Sequence, residues 1–183
     1  MNEKILLNKN LKEDKFLRRP TKEFSFRAKG VTVDGIFMTF SEIDELIRKM
    51  RKIMKEAPGV GLSANQIGLP YRLFVAEVPD SQGNLKFYSI FNPRLEFSKK
   101  EKAMMEEGCL SVVGKYGIVP RFTEAKLSGL DKRGRALKIK AWGFLAHVFQ
   151  HEVDHLDGKL FIDRTKNIYE ISNDERLKKN LGK

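Results

Sequence analysis

The run Gln150-His151-Glu152-Val153-Asp154-His155-Leu156 constrains this chain more than any other stretch. Two histidines four residues apart share one face of an α-helix, and a glutamate follows the first. In this HExxH arrangement the imidazoles hold one metal ion and the carboxylate stands beside the water that the ion activates. Leu145, Phe149, Val153 and Leu156 give the same helix an apolar stripe, which implies that it is substantially buried. Burying two imidazoles and two acids without partners is costly, whereas a metal ion satisfies the histidines and uses Glu152.

A tetrahedral catalytic site takes three protein ligands and leaves one position open. No histidine follows His155, and the nearest acids downstream are Asp157, Asp163 and Glu170. Upstream, the only cysteine, Cys109, lies in the turn-like segment Glu106-Glu107-Gly108-Cys109-Leu110-Ser111. A thiolate is a strong ligand for Zn²⁺ or Fe²⁺, and Gly108 lets the backbone approach closely. A lone cysteine is also commonly a small buried hydrophobe, and the residue alone leaves both readings open. His147 extends the histidine spacing to i, i+4, i+8, but it lies two turns from His155, about 12 Å along the axis. One ion with bonds of about 2.1 Å does not reach all three from a regular helix. His147 therefore either lines the pocket beside the ion or packs structurally.

At 183 residues and 41% hydrophobic content, the chain is long and apolar enough for one folded domain spanning 1–183. The apolar run Ile5-Leu6-Leu7 is too short for a signal peptide or a membrane span, and early acids argue against a transit peptide. One cysteine cannot form an internal disulfide, which points to a reduced, cytoplasmic setting with no membrane partner. The formal net charge of +11 is carried by scattered residues without an aromatic-basic stacking motif. It reads as a solvated basic surface or as attraction to a ribonucleoprotein, with no DNA partner expected.

The best helix runs from Ser41 to Ala57, with Ser41 and Asp44 resembling a capping box and Ile43, Leu46, Ile47, Met50, Ile53 and Met54 on one stripe. Strand signals cover Arg72 to Val78, Phe87 to Asn92, Arg94 to Ser98, Ala125 to Leu130 and Ala136 to Ala141, with Asp131 to Gly134 as a hairpin turn. A second helix covers about Trp142 to Asp157, closed by Gly158. Residues 1–40 read as a wrap with short strands near Val31-Thr32-Val33, and the tail 167–183 as polar, basic and weakly helical at best. The expected fold is α+β: one domain, mainly antiparallel strands packed around a central metal-binding HExxH helix.

Three segments in this order resemble the peptide deformylase family: Gly59 to Gln66 matches GxGLxAxQ, Glu107 to Ser111 matches EGCLS, and Gln150 to Gly158 matches QHExDHLxG. The match runs over about residues 15–165. The resemblance implies that Cys109, His151 and His155 bind one divalent ion, Fe²⁺ first and Zn²⁺, Ni²⁺ or Co²⁺ as substitutes. It implies that Glu152 is the general acid/base, and that Gln66 and the Leu110 N–H hold an oxyanion. Val60, Gly61, Gly108 and His147 match positions lining the peptide groove and methionine pocket, with Gly59 and Gly61 leaving room for an extended peptide. Glu107 and Asp154 are read as orienting ligands or pairing with Arg121. The implied activity is removal of the formyl group from formyl-methionine of nascent polypeptides, with formate released. The implied partners are those N-formylmethionyl peptides and the ribosome surface near the exit tunnel.

Three departures stand out: Ser63 where many members have alanine, expected to be neutral; His147 in place of an apolar residue or arginine; and Tyr116 in the loop after Cys109. The rival readings are a metallo-endopeptidase, a catalytically inactive paralogue that binds nascent chains or ribosomes, and a basic nucleic-acid-binding module. The first lacks its downstream ligand, the second has lost none of its machinery, and the third leaves the His/Glu/Cys constellation unexplained.

Overall fold

The structure, a computed structural model, describes residues 4–80, 82–97 and 100–170. The N-terminal stretch is more regular than its charge suggests. Helix α1 (Leu11–Leu17) begins where the Asn10 side chain accepts from the Lys12 and Glu13 N–H groups, and it buries only Leu17. One buried residue leaves too little apolar periodicity for the helix to be read from sequence. Strands β1 (Ser25–Arg27), β2 (Gly30–Val33) and β3 (Ile36–Thr39) then form an antiparallel meander.

Helix α2 (Phe40–Glu56) buries the stripe expected of it: Ile43, Leu46, Ile47, Met50, Ile53 and Met54. Its cap differs from the sequence reading. Thr39, not Ser41, is the N-cap: its hydroxyl accepts from the Glu42 N–H, and Glu42 Oε2 accepts from the Thr39 N–H at 2.7 Å. Asp44 instead pairs with Lys132 at 2.8 Å and Arg133 at 3.0 Å. The longer glutamate reaches back to the cap, so the helix starts earlier than the Ser41 signal implied.

Strand β4 (Gly61–Ser63) leads through a 3₁₀ turn, Ala64–Ile67, to β5 (Leu73–Pro79) and β6 (Leu85–Glu96). Strands β7 (Lys102–Cys109) and β8 (Val112–Phe122) form one hairpin. A second joins β9 (Glu124–Leu130) and β10 (Ala136–Trp142) across the expected turn. Helix α3 (Gly143–Leu156) follows, and β11 (Ile168–Glu170) returns to pair with β8. The larger sheet has the order β10-β9-β6-β5-β4, and the smaller β11-β8-β7. All these pairings are antiparallel, so the α+β fold class stands.

Strand β5 separates the two long helices. Leu73 and Val75 join the α2 cluster, while Phe74, Ala76 and Val78 join Ala146, Phe149, Val153 and Leu156 of α3. Alternate side chains thus face opposite layers, and both layers are apolar. Helix α3 is central: every residue from Ala146 to Leu156 is buried except the partly buried His151. Gly158 ends it at φ 74°, where a Cβ would collide with the Arg18 carbonyl oxygen.

Other expectations need correction. The two strands read on either side of Pro93 are one, β6, with a register shift between Phe91 and Arg94. Asn92, at φ 48°, absorbs the break, and its side chain pairs with both backbone groups of Phe24 at 2.8 and 2.9 Å. Strands β7 and β8 were not read from sequence at all. The tail reading fails where it can be compared, since 168–170 is strand; residues 171–183 lie outside the described residues. If Thr39 is the cap, Thr39→Ala costs about 1 kcal/mol in urea unfolding while Ser41→Ala stays within about 0.5 kcal/mol. The reverse order would contradict the assignment.

Candidate metal centre

The β7–β8 hairpin and α3 bring the sequence signals together. Side chains of β7 alternate, so Glu107 and Cys109 face the same side, toward α3. Cys109 Sγ lies 3.1 Å from His155 Nε2. The ligand atoms of Cys109, His151 and His155 all fall within 4.8 Å of one another. The two imidazole rings are 4.9 Å apart and inclined at 71°. His151 Nδ1 hydrogen-bonds Glu107 Oε2 at 2.8 Å, which leaves its Nε2 for the centre. His155 Nδ1, also buried, has no hydrogen-bond partner among the described residues.

Burial works to raise the Cys109 thiol, but the charge of His155 and hydrogen bonds from both histidines pull it down to about 5. Burial likewise opposes a charged His151, and hydrogen bonds to Cys109 and Glu107 override it and raise its pKa well above the ordinary value. Sulfur and ring nitrogens thus meet at one point, and a divalent ion fits there by taking the place of protons. One soft sulfur and two ring nitrogens are a donor set for a late first-row metal.

Glu152 is buried, and burial raises its pKa. Ser63 Oγ donates to its Oε2 at 2.7 Å. The departure at Ser63 thus touches the candidate base directly. Gly61 also leaves room for Glu152: a Cβ there would collide with Glu152 Oε1. Gln66 is oriented on both sides. Its Oε1 accepts from the Ser63 N–H at 2.8 Å, and its Nε2 donates to Ser111 Oγ at 3.2 Å and points toward Cys109 Sγ at 3.8 Å. Leu110 occupies the hairpin turn beside Cys109, and its side chain fills the space next to Gly59, where a Cβ would come within 2.8 Å.

Behind the centre runs a chain of buried charges. Glu107 takes both arms of the Arg121 guanidinium at 2.5 and 3.0 Å, and Arg121 also donates to Asp154 at 2.5 Å. Arg164 Nε donates to the same Asp154 oxygen, Oδ2, at 2.9 Å, and its Nη2 donates to Oδ1. Burial opposes the Glu107 charge, but His147, His151 and Arg121 outweigh it and hold the carboxyl well below its ordinary range. His147 lies outside the three-donor cluster: its Nε2 is 3.0 Å from Glu107 Oε1, and Phe144 packs edge-on against its ring.

One cleft of about 240 Å³ is lined by Val60, Gly61, Gly108, Leu110, Tyr116 and His147, with Gln66, Cys109, His151 and Glu152 in its wall. His155 alone of the expected site residues lies behind that wall. Tyr116 belongs to β8 rather than a loop, and its ring fills the space beside Gly108. Three contributors were missed in sequence although they stand inside the motifs. Ser63 holds Glu152; Ser111 donates its N–H to Cys109 Sγ at 3.4 Å; and Asn65 Nδ2 donates to the His155 carbonyl at 2.6 Å. Arg164 carried no sequence signal.

The family model described as polypeptide deformylase matches residues 14–170. Over 159 residues the chain is 38% identical to a peptide deformylase of Symbiobacterium thermophilum, covering 86% of this chain and 69% of that one. It is 39% identical over 136 residues to the chloroplastic peptide deformylase 1A of Solanum lycopersicum, covering 67% of this chain and only about half, 49%, of the relative. Among solved structures, a peptide deformylase from Synechococcus elongatus in complex with actinonin superposes with a TM-score of 0.72 at 32% identity, covering 89% of this chain and 78% of that one.

Arg121 pairs with two buried carboxylates at once, Glu107 and Asp154, and its side chain is 5% exposed. Arg121→Met leaves Glu107 with only its two histidines and Asp154 with only Arg164, and should destabilise the protein by about 3–5 kcal/mol in denaturant titration. A loss below about 1 kcal/mol would show that the charges are solvated rather than paired.

Proposed function

The chain belongs to the polypeptide deformylase family, and on that premise we propose that it removes the formyl group from N-formylmethionyl nascent polypeptides, releasing formate. The observation that carries this reading is the convergence of Cys109, His151 and His155 within 4.8 Å, at a cleft whose wall holds Cys109, His151, Glu152 and Gln66.

Cys109 Sγ and one nitrogen of each histidine would hold one divalent ion. We assign Fe²⁺, with Zn²⁺, Ni²⁺ or Co²⁺ able to take its place, since the donor set suits all four. Such an ion supplies Lewis acidity, lowering the pKa of water and polarising a carbonyl oxygen. Glu152 is the general acid/base. Ser63 engages its Oε2, so Oε1 is the atom free to accept a proton from the attacking water and return it to the leaving amine nitrogen. Gln66 Nε2 and the Leu110 N–H stabilise the oxyanion that develops on the formyl group, each such donor contributing ~3 kcal/mol. Because the Ser63 N–H fixes Gln66 Oε1, the amide donor is held in place before substrate arrives.

Val60, Gly61, Gly108 and His147 receive the peptide. Strand β4 is an edge of its sheet, so an extended peptide running between Gly61 and Gly108 meets unpaired backbone groups. Formyl is the smallest acyl group, and a narrow cleft over the centre excludes larger ones. The inactive-paralogue reading has no observation in its favour, since Gln66, Glu152 and all three ligands are in place. We place the activity in the cytoplasm, near the ribosomal exit tunnel, toward which the net charge of +11 supplies attraction. Among the described residues no helix is long and apolar enough to cross a membrane.

Protein purified without oxygen and supplied with Fe²⁺ or Ni²⁺ should release formate from formyl-Met-Ala-Ser and no acetate from acetyl-Met-Ala-Ser. Glu152→Ala should keep the metal and lose turnover, and Cys109→Ala should lose both. Gly61→Ala, by pushing Glu152 aside, should lower turnover about 100-fold with metal retained. No formate from demonstrably metal-loaded protein would contradict the assignment.

A further inference from the structure

Glu107 touches both the centre and the buried charge chain, and its carboxylate is fully subscribed. Oε1 takes Arg121 Nε at 2.5 Å and His147 Nε2 at 3.0 Å. Oε2 takes Arg121 Nη2 at 3.0 Å and His151 Nδ1 at 2.8 Å. A carboxylate offers about four acceptor sites, and here four donors use them, two on each oxygen. Three of these donors have an evident role in binding charge or metal. The fourth, His147, does not ligate, yet it is 7% exposed and stands one helical turn before His151 on the same face of α3.

That placement makes α3 grip the carboxylate twice. The Arg121 fork sets the direction in which Glu107 points but leaves it free to tilt about that axis. His147 on one oxygen and His151 on the other remove the tilt. We propose that His147 is a positioning residue of the metal centre, donating from Nε2 to Glu107 Oε1 and so fixing the carboxylate that orients His151. The inference rests on the centre proposed above and adds to it a residue whose side chain reaches the ion only through Glu107 and His151. Groups that orient metal-bound histidines through a hydrogen bond typically change metal affinity by about 10–100-fold when removed.

The test is Co²⁺ titration of the full chain, stripped of metal, in competition with a chromophoric chelator, for the native protein, His147→Phe and His147→Gln. Phenylalanine keeps the ring and its packing on Phe144 but cannot donate; glutamine keeps a donor at similar reach. His147→Phe should raise the Co²⁺ Kd about 10–100-fold, and His147→Gln should restore it to within about threefold of native. An unchanged Kd in His147→Phe overturns the proposal, and a change confined to KM for the formyl peptide would then make His147 a wall of the peptide cleft. A tighter Kd also overturns it, because a freed Glu107 would be leaning harder on His151. Equal losses in both variants overturn it too, since the donor would not be what matters. Failure of the native protein to bind Co²⁺ would instead remove the metal centre itself.

Discussion

The rest of the structure depends on the pairing of one buried carboxylate, Glu107, with the guanidinium of Arg121. Glu107 lies on β7, Arg121 on β8, and the histidines that share the carboxylate lie on α3, so a single group joins all three elements. Strand geometry turns that junction into a ligand site. Residues two apart on a strand face the same way, so the register that sends Glu107 under α3 also sends Cys109 onto His151 and His155. A one-residue slip of β7 would turn both away together.

This arrangement explains why the hairpin was illegible in sequence. In β7 the inward position Glu107 is acidic and buried, while the outward Met104 is 65% exposed. The binary pattern is inverted at Met104 and Glu107, so a polarity-based strand reading fails. Strand β6 was read as two because Pro93 cannot donate to a ladder, yet Asn92 in a left-handed conformation carries the chain past it as a bulge. The cap of α2 was misplaced by two residues, a local competition between Thr39 and Ser41 that only backbone geometry decides.

What was legible has equally plain causes. The six-residue apolar stripe of α2 packs against one face of β5, and 3.6-residue periodicity alone marks it. Each motif concentrates chemistry in consecutive residues: His151, Glu152 and His155 on one helix, Cys109 at the end of one strand, Gln66 in one 3₁₀ segment. Their meeting in space was not legible from periodicity; it was implied by the resemblance, and the fold gathers the three donors in one cluster and Gln66 and Glu152 into the wall of the adjoining cleft. Contacts between motifs escaped the reading. Ser63 on Glu152, Gly61 beside Glu152 and His147 on Glu107 depend on α3 lying against β4 and β7, which sequence spacing does not encode.

The account stands or falls on whether sulfur and two imidazoles hold the ion. X-ray absorption at the metal edge of the Co²⁺- or Zn²⁺-loaded protein measures this directly. One sulfur and two imidazole nitrogens bound to the ion, with the sulfur lost in Cys109→Ser, is the result expected. A shell of nitrogen and oxygen alone, unchanged in Cys109→Ser, would contradict the site and the chemistry built on it.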